Sequence, residues 1–367
     1  MESQVTTAAP AVGAPRRRRR WPWIVLSLMG LVLTLLAAGY GLGRWSGGRE
    51  TAAAMAETDR LDPDWRLADI EAKREVLKPE ENSALHVTKV YGLARHNSRT
   101  NKIDFTVQFE KLEAPFELNA LQVDMLREAQ EGVLEALIEA RKLKDMPKGR
   151  FALKFSPDWI STIVQDQQNA RRVMEVLQHD AWLRAQTGDL DGAVELCRAV
   201  MNAGRSLGDE PFLISFLIRV AGDHLALQAL ERALAQGRPS EKALAPMQAL
   251  IEQEIIDTQK HWTNAMRGER GGQRQLMQAL SEGKIKLSHF GGMRGNPNVG
   301  DQMSDFFPVV ITSGYPALLR HMNQVVETTK LPLEQQDAKM RELEKEIPRS
   351  SLITRLLAPA INKVNWA

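Results

Sequence analysis

A single cysteine, Cys197, stands in 367 residues, so no internal disulfide can form and an oxidising compartment is neither required nor contradicted. It lies in Ala193-Val194-Glu195-Leu196-Cys197, a helical apolar pattern that predicts a small buried side chain. Catalytic signatures are missing as well. There is no His-Glu-x-x-His, no Cys-x-x-Cys, no Gly-x-Ser-x-Gly and no phosphate loop ending in Gly-Lys-Ser/Thr, which removes the commonest zinc, serine-hydrolase and nucleotide signals. No cofactor is expected.

Charge is missing where it matters most. Trp21 to Gly43 is a 23-residue stretch without a charged side chain, ~34 Å long as a helix and enough to cross a ~30 Å hydrocarbon layer. Net charge is nearly missing too. Residues 1 to 20 carry Arg16, Arg17, Arg18, Arg19 and Arg20 against Glu2, a balance of +4 out of a total of +2, so the rest of the chain sits at −2. A body without basic excess argues against nucleic acid as a partner.

What is present starts at that junction. Five arginines before the span, against Arg44 and Arg49 after it, place the N-terminus in the cytoplasm and the body outside the inner (cytoplasmic) membrane, as a single-pass periplasmic protein. Trp21 and Trp23 at one end, with Tyr40 and Trp45 at the other, suit the two headgroup regions. Ala54-Met55-Ala56 would suit a signal peptidase, but the apolar core exceeds the about 7 to 15 residues of a cleaved signal. Gly39 and Gly43 form a Gly-x-x-x-Gly pair at the exit of the span.

The segments expected are a disordered basic tail (1–20), a transmembrane helix (21–43), a linker (44–60), a helical subdomain with short strands (61–155), a helical-hairpin core (156–285), a Gly-rich loop (286–312) and C-terminal helices (313–367). The class is mostly all-α. Apolar spacing of three and four predicts helices at 82–95, 121–143, 157–185, 191–205, 211–235, 240–266, 273–280, 316–329, 333–347 and 351–364. Leu61-Asp62-Pro63-Asp64-Trp65 and Phe155-Ser156-Pro157-Asp158-Trp159 read as two copies of one helix start, with Phe155 and Ile160 as a staple. Arg267-Gly268-Glu269-Arg270-Gly271-Gly272 reads as a solvated break between helices. Strict alternation occurs at Ile103 to Phe109 and Phe151 to Phe155, a candidate two-stranded element. Trp65, Trp159, Trp182 and Trp262 have apolar helical neighbours and are expected as core anchors.

Ala185-Gln186, Ala193-Val194 and Ala199-Val200-Met201 match Ala235-Gln236, Ala243-Leu244 and Ala249-Leu250-Ile251 at an offset of 50 residues. Each copy ends a helix, turns and starts an Ala-rich helix, which predicts two stacked, solenoid-like hairpins. The first turn, Trp182 to Val194, resembles that of tetratricopeptide repeats, whose period is instead about 34 residues.

Candidate chemistry is sparse. His179-Asp180 and Asp223-His224 are adjacent pairs on two predicted helices and make the one candidate metal site; Arg219, one turn before Asp223, offers a salt bridge instead. The long Gly-rich loop carries Phe290, Met293, Arg294, Asn296 and Asn298, candidate partner contacts at a surface.

Leu61 to Ala72, Arg184-Ala185-Gln186-Thr187-Gly188-Asp189 and Ser206-Leu207-Gly208-Asp209-Glu210-Pro211-Phe212-Leu213-Ile214-Ser215 resemble a family of uncharacterised membrane-anchored proteins from planctomycete bacteria. The resemblance covers about residues 60 to 364 and implies one N-terminal span followed by a helical body, with no activity to carry over. Longer members continue after a segment like Leu356-Leu357-Ala358-Pro359-Ala360 into a region similar to pseudopilin tails. The expected function is a membrane-anchored extracytoplasmic scaffold or interaction protein, with an unidentified protein partner or a second copy of the chain as a homo-oligomer. Two alternatives stand beside it: a metal-dependent hydrolase built on the two His/Asp pairs, and an accessory component of a secretion or pilus-like envelope system.

Overall fold

The structure, a computed structural model, describes residues 21–95, 112–159, 161–162, 165–285 and 313–357. These residues are mostly helical and contain no strand. The helices are α1 (Trp21–Leu61), α2 (Leu67–Ala72), α3 (Ser83–Arg95), α4 (Ala120–Glu131), α5 (Leu134–Ala140), α6 (Gln165–Gln186), α7 (Leu190–Arg205), α8 (Leu213–Gln236), α9 (Glu241–Ser281), α10 (Tyr315–Thr329), α11 (Leu333–Glu346) and α12 (Leu352–Leu357). Short 3-10 turns at Arg141–Asp145 and Ile347–Arg349 extend α5 and α11. Phe151 to Phe155 is extended but unpaired as a strand, and Ile103 to Phe109, its expected partner, lies outside the described residues.

Side chains on α6, α7 and α8 interlock with α3 to α5 in a first core around Leu137, Met174, Leu177 and Val200. Small residues let these helices approach closely, as at Gly204 and Gly222, which face each other across α7 and α8 beside the Met174 sulfur. A second core gathers Trp65, Trp262, Met266 and Leu276 with Leu318, Met322 and Val325 of α10. The beam joining them is α9, which sends Ala243 and Met247 into the first core and Trp262, Met266 and Leu276 into the second. The packing boundary therefore crosses α9, whereas the sequence suggested one at 285.

Four expectations are corrected. The stretch 44–60, read as a linker, is the second half of α1. It is held by tertiary contacts: Ala54 and Thr58 are buried, Asn323 donates to the Thr58 hydroxyl (2.9 Å) and Arg320 pairs with Glu57 (2.9 Å). Neither Asp-Pro segment opens a helix. Pro63-Asp64 and Pro157-Asp158 form turns, because Asp62 is drawn to Arg267 and Arg270 while Asp158 accepts from Ser156 and Ser161. Ile160 of the expected staple lies outside the described residues. The predicted 121–143 helix breaks at Gly132, where α4 ends.

Arg267 to Gly272 is neither a break nor solvated. It is continuous helix inside α9, and Gly268, Gly271 and Gly272 are buried. A Cβ on Gly268 would sit 1.9 Å from the Pro211 carbonyl oxygen, and one on Gly272 would sit 2.1 Å from the Trp159 ring. The glycines are there because another backbone or ring occupies the space a side chain would take.

α8 is long and apolar enough to cross a membrane by length and composition. Packing accounts for that composition, since Phe216, Ile218, Ala226 and Ala229 are core residues and Arg219 and Arg232 are buried in polar contacts. The apolar side chains from Val25 to Leu35 of α1 make no such core, with Leu26, Leu28, Met29, Leu33 and Leu35 all exposed. Trp21 and Trp45 are exposed as well; the side chains of Trp23 and Tyr40, and residues 16–20, lie outside the described ones.

Candidate functional site

Where α9 leaves the first core to reach the second, one of its faces stays open. Pro246, Ala249, Leu250, Gln253 and Ile256, then Lys260, Thr263 and Arg267, recur at helical spacing along one side of a groove. From Pro246 to Arg267 that face is ~32 Å long. The opposite wall comes from the segment after α2 and the Lys144 to Arg150 stretch, and the groove encloses about 1350 Å³.

Its floor is an ion-pair network. The Glu254 carboxylate, buried on α9, receives Arg219 of α8 at 2.6 and 2.8 Å and is also bound by Arg205 of α7, whose Nη2 reaches Asp257 at 3.3 Å. Burial opposes the charge on Glu254, yet the two guanidiniums hold its carboxyl below the ordinary range. Arg219 thus spends itself on Glu254 and leaves Asp223 alone. Asp223 Oδ1 is buried without a partner among the described residues, and burial plus the neighbouring Glu254 charge pushes its carboxyl up. His261 sits above this network as a neutral ring, pushed down to about 4 by burial and the Arg219 charge.

At the other wall, Arg74 is buried. It donates to Asp209 (2.7 Å), Glu71 (3.0 Å) and the Phe151 carbonyl (3.2 Å), while its Nη2 has no partner among the described residues. Arg150 braces it by donating to the Arg74 and Glu75 carbonyls, both at 2.9 Å. Asp209 is presented by the turn at Gly208, which has φ +61 and passes so near Gly149 that a Cβ would lie 2.2 Å from that carbonyl oxygen. The rim is lysine. Lys144 and Lys148 hold Glu195 and Glu75 at 2.6 and 2.7 Å, and Lys330 holds Glu327 at 2.6 Å; the Lys148 and Lys330 pairs are exposed and the Lys144 pair is half-buried. No ion pair involves Lys260 among the described residues.

The expected metal pairs do not make one site. Asp180 is buried and fully engaged, accepting from Arg141 (2.8 and 3.0 Å) and Gln130 (3.1 Å). His179 is half-buried beside Trp182, ring centroids 5.5 Å apart, and desolvation with the Arg172 charge pushes it down to about 4. The cavity next to it encloses about 30 Å³, room for about one water. Asp223 faces the Glu254 network instead, and His224 shares a 3.0 Å hydrogen bond with Gln228. No group of three or more His, Cys, Asp or Glu that could hold a metal occurs among the described residues. Trp65, Trp182 and Trp262 are core side chains and Trp159 is half-buried. Phe290, Met293, Arg294, Asn296 and Asn298 lie outside the described residues.

Sequence reasoning missed the groove. Its one local signal is the basic run Lys144, Lys148 and Arg150; the rest is assembled from segments far apart in the chain. Comparison of the chain with protein-family models, with curated proteins and with solved structures finds no match.

Proposed function

We propose that this chain is a membrane-anchored, extracytoplasmic helical scaffold that binds another protein through its body. The observation that carries the reading is α1 itself. Its first half presents an uncharged run of exposed apolar side chains, and the same helix continues without a break into the body, where Ala54, Glu57 and Thr58 dock on α10. A helix of this kind transmits a fixed orientation that a flexible tether does not. The five arginines before the span favour a cytoplasmic N-terminus in the inner membrane and a periplasmic body. The antiparallel succession of α6 to α9 supports a likeness to tetratricopeptide hairpins, a scaffold that commonly offers an extended binding surface.

Cysteine labelling tests the placement. Burial pushes the Cys197 thiol up to about 12, so the native thiol is silent and reporters can be introduced at Gln248, an exposed position of α9, and at Ser3. In cells with the outer envelope opened, an impermeant maleimide should label Gln248→Cys and spare Ser3→Cys until the inner membrane is broken. The reverse pattern would invert the topology. Recovery of the chain in the soluble fraction would remove the anchor.

A further inference from the structure

We infer that the groove along α9 is the partner site of this scaffold, and that its occupant is an acidic amphipathic segment of another protein, laid against α9 as a helix. The inference rests on the scaffold reading above.

Size comes first. Small-molecule sites enclose about 300 to 1,000 Å³, whereas this groove exceeds that and is drawn out along six turns of α9. A helix of about 18 residues is ~27 Å long and would match it.

Charge chooses the partner. Eleven lysines and arginines line the groove against four carboxylates, in a chain whose remainder after residue 20 is at −2. The deep guanidiniums Arg205, Arg219 and Arg267 are committed to buried or half-buried carboxylates and form the floor. The lysines are different: the pairs of Lys148 and Lys330 are solvent-exposed, worth about 0 to 1 kcal/mol, and can be exchanged for an incoming carboxylate at little cost. Lys260 is free to take one. Behind them the buried Arg74 Nη2 still has a hydrogen to donate and Asn202 Oδ1 still accepts, the arrangement of a polar wall left unfinished.

Apolar surface chooses its pattern. Pro246, Ala249, Leu250 and Ile256 make a stripe on the same face, and Ile256 is 69% exposed, a large side chain that none of the described residues covers. A segment with carboxylates on one side and leucine-type residues on the other satisfies both walls, the helix-in-groove mode. Nucleic acid fits worse, because among the described residues no Phe, Tyr or Trp lines the groove to stack a base, and His261 is the one aromatic ring there.

The test uses the full chain in detergent micelles and, as probe, a fluorescent Glu/Leu-patterned peptide of about 18 residues. Fluorescence anisotropy should show micromolar binding that weakens with salt. A Lys/Leu peptide of the same pattern and a single-stranded oligonucleotide should not bind. Lys148→Glu with Lys260→Glu should weaken binding at least tenfold, Ile256→Glu should do the same, and Lys339→Glu, on α11 outside the groove, should leave it unchanged. No binding of the acidic peptide, equal binding by all variants, or preference for the oligonucleotide overturns the inference. Crosslinking in the envelope separates it from the reading beneath it. A partner captured equally by wild type and by the charge-reversed chain would keep the scaffold and overturn the groove, whereas a body that captures nothing would overturn the scaffold.

Discussion

Asp62, the residue after the end of α1, takes the guanidinium fork of Arg267 with both carboxylate oxygens, at 2.7 and 2.8 Å. The same carboxylate also binds Arg270, whose side chain is wholly buried and stacks 5.5 Å from the Trp65 ring. One acid thus ties the membrane-proximal helix to the middle of α9, at the end of the basic groove.

Replacing that acid leaves a buried guanidinium whose remaining partner is Asn323. Asp62→Ala should therefore cost about 3 kcal/mol or more, because breaking a buried pair strands a charge. Thermal unfolding of the full chain should fall by several degrees. A shift within error would mean that water reaches Arg270.

The glycines of α9 make a sharper test because they oppose helix propensity. Gly268→Ala should destabilise by about 1 to 3 kcal/mol, since its Cβ would collide with the Pro211 carbonyl, and backbone cannot swing away. Gly92→Ala in α3, with open space around it, should stabilise by about 0.5 to 1 kcal/mol. Equal effects at the two sites would show that α9 does not pack as described.

Two carboxylic acids flank the start of α8. Burial pushes Glu269 up to about 7 although the Leu213 amide donates to it, and burial pushes Glu210 up to about 7 against the donors Ser215 and Gln167. Unfolded, each returns to about 4.5. The folded chain therefore holds protons that the unfolded chain has released. Stability from these groups is whole below about pH 4.5 and is lost as pH rises to about 7, by roughly 3 kcal/mol per group. His179 works in the other direction: its folded value of about 4 lies below the ordinary 6.5, so its contribution is whole above 6.5 and lost as pH falls. Glu269→Gln keeps an oxygen for Leu213 and removes the charge. It should raise the unfolding temperature at pH 8 and change it little at pH 4.5, and the same shift at both pH values would refute the raised value.

Cys197 is fully buried in α7 and its thiol is pushed up to about 12 by that burial. A thiol reagent should leave it untouched in the folded chain and modify one equivalent in denaturant. Rapid native labelling would mean that α7 opens on the time scale of the reaction.

The helices beginning at Ser83, Leu190, Tyr315 and Leu333 were legible to within a residue, because apolar residues at three and four are a local signal. Asp62 was misread as part of a helix start for the complementary reason. A capping acid and an acid paired with an arginine 205 residues away look alike in sequence. Gly268, Gly271 and Gly272 read as a break because glycine disfavours helix in isolation; burial against Pro211, Trp65 and Trp159 overrides that preference. Asp180 and Asp223 read as possible partners because adjacency to histidine is visible and orientation is not.

The sequence by itself determined the uncharged run, its basic flank, the single thiol and the helical period, all properties of near neighbours along the chain. Only the tertiary structure decided that residues 44–60 are a helical extension of α1, that Arg219 belongs to Glu254 and leaves Asp223 Oδ1 without a partner among the described residues, and that eleven basic side chains share one groove. Those outcomes depend on which distant surfaces are buried together, and a buried charge is settled by whichever carboxylate the packing brings within hydrogen-bond reach.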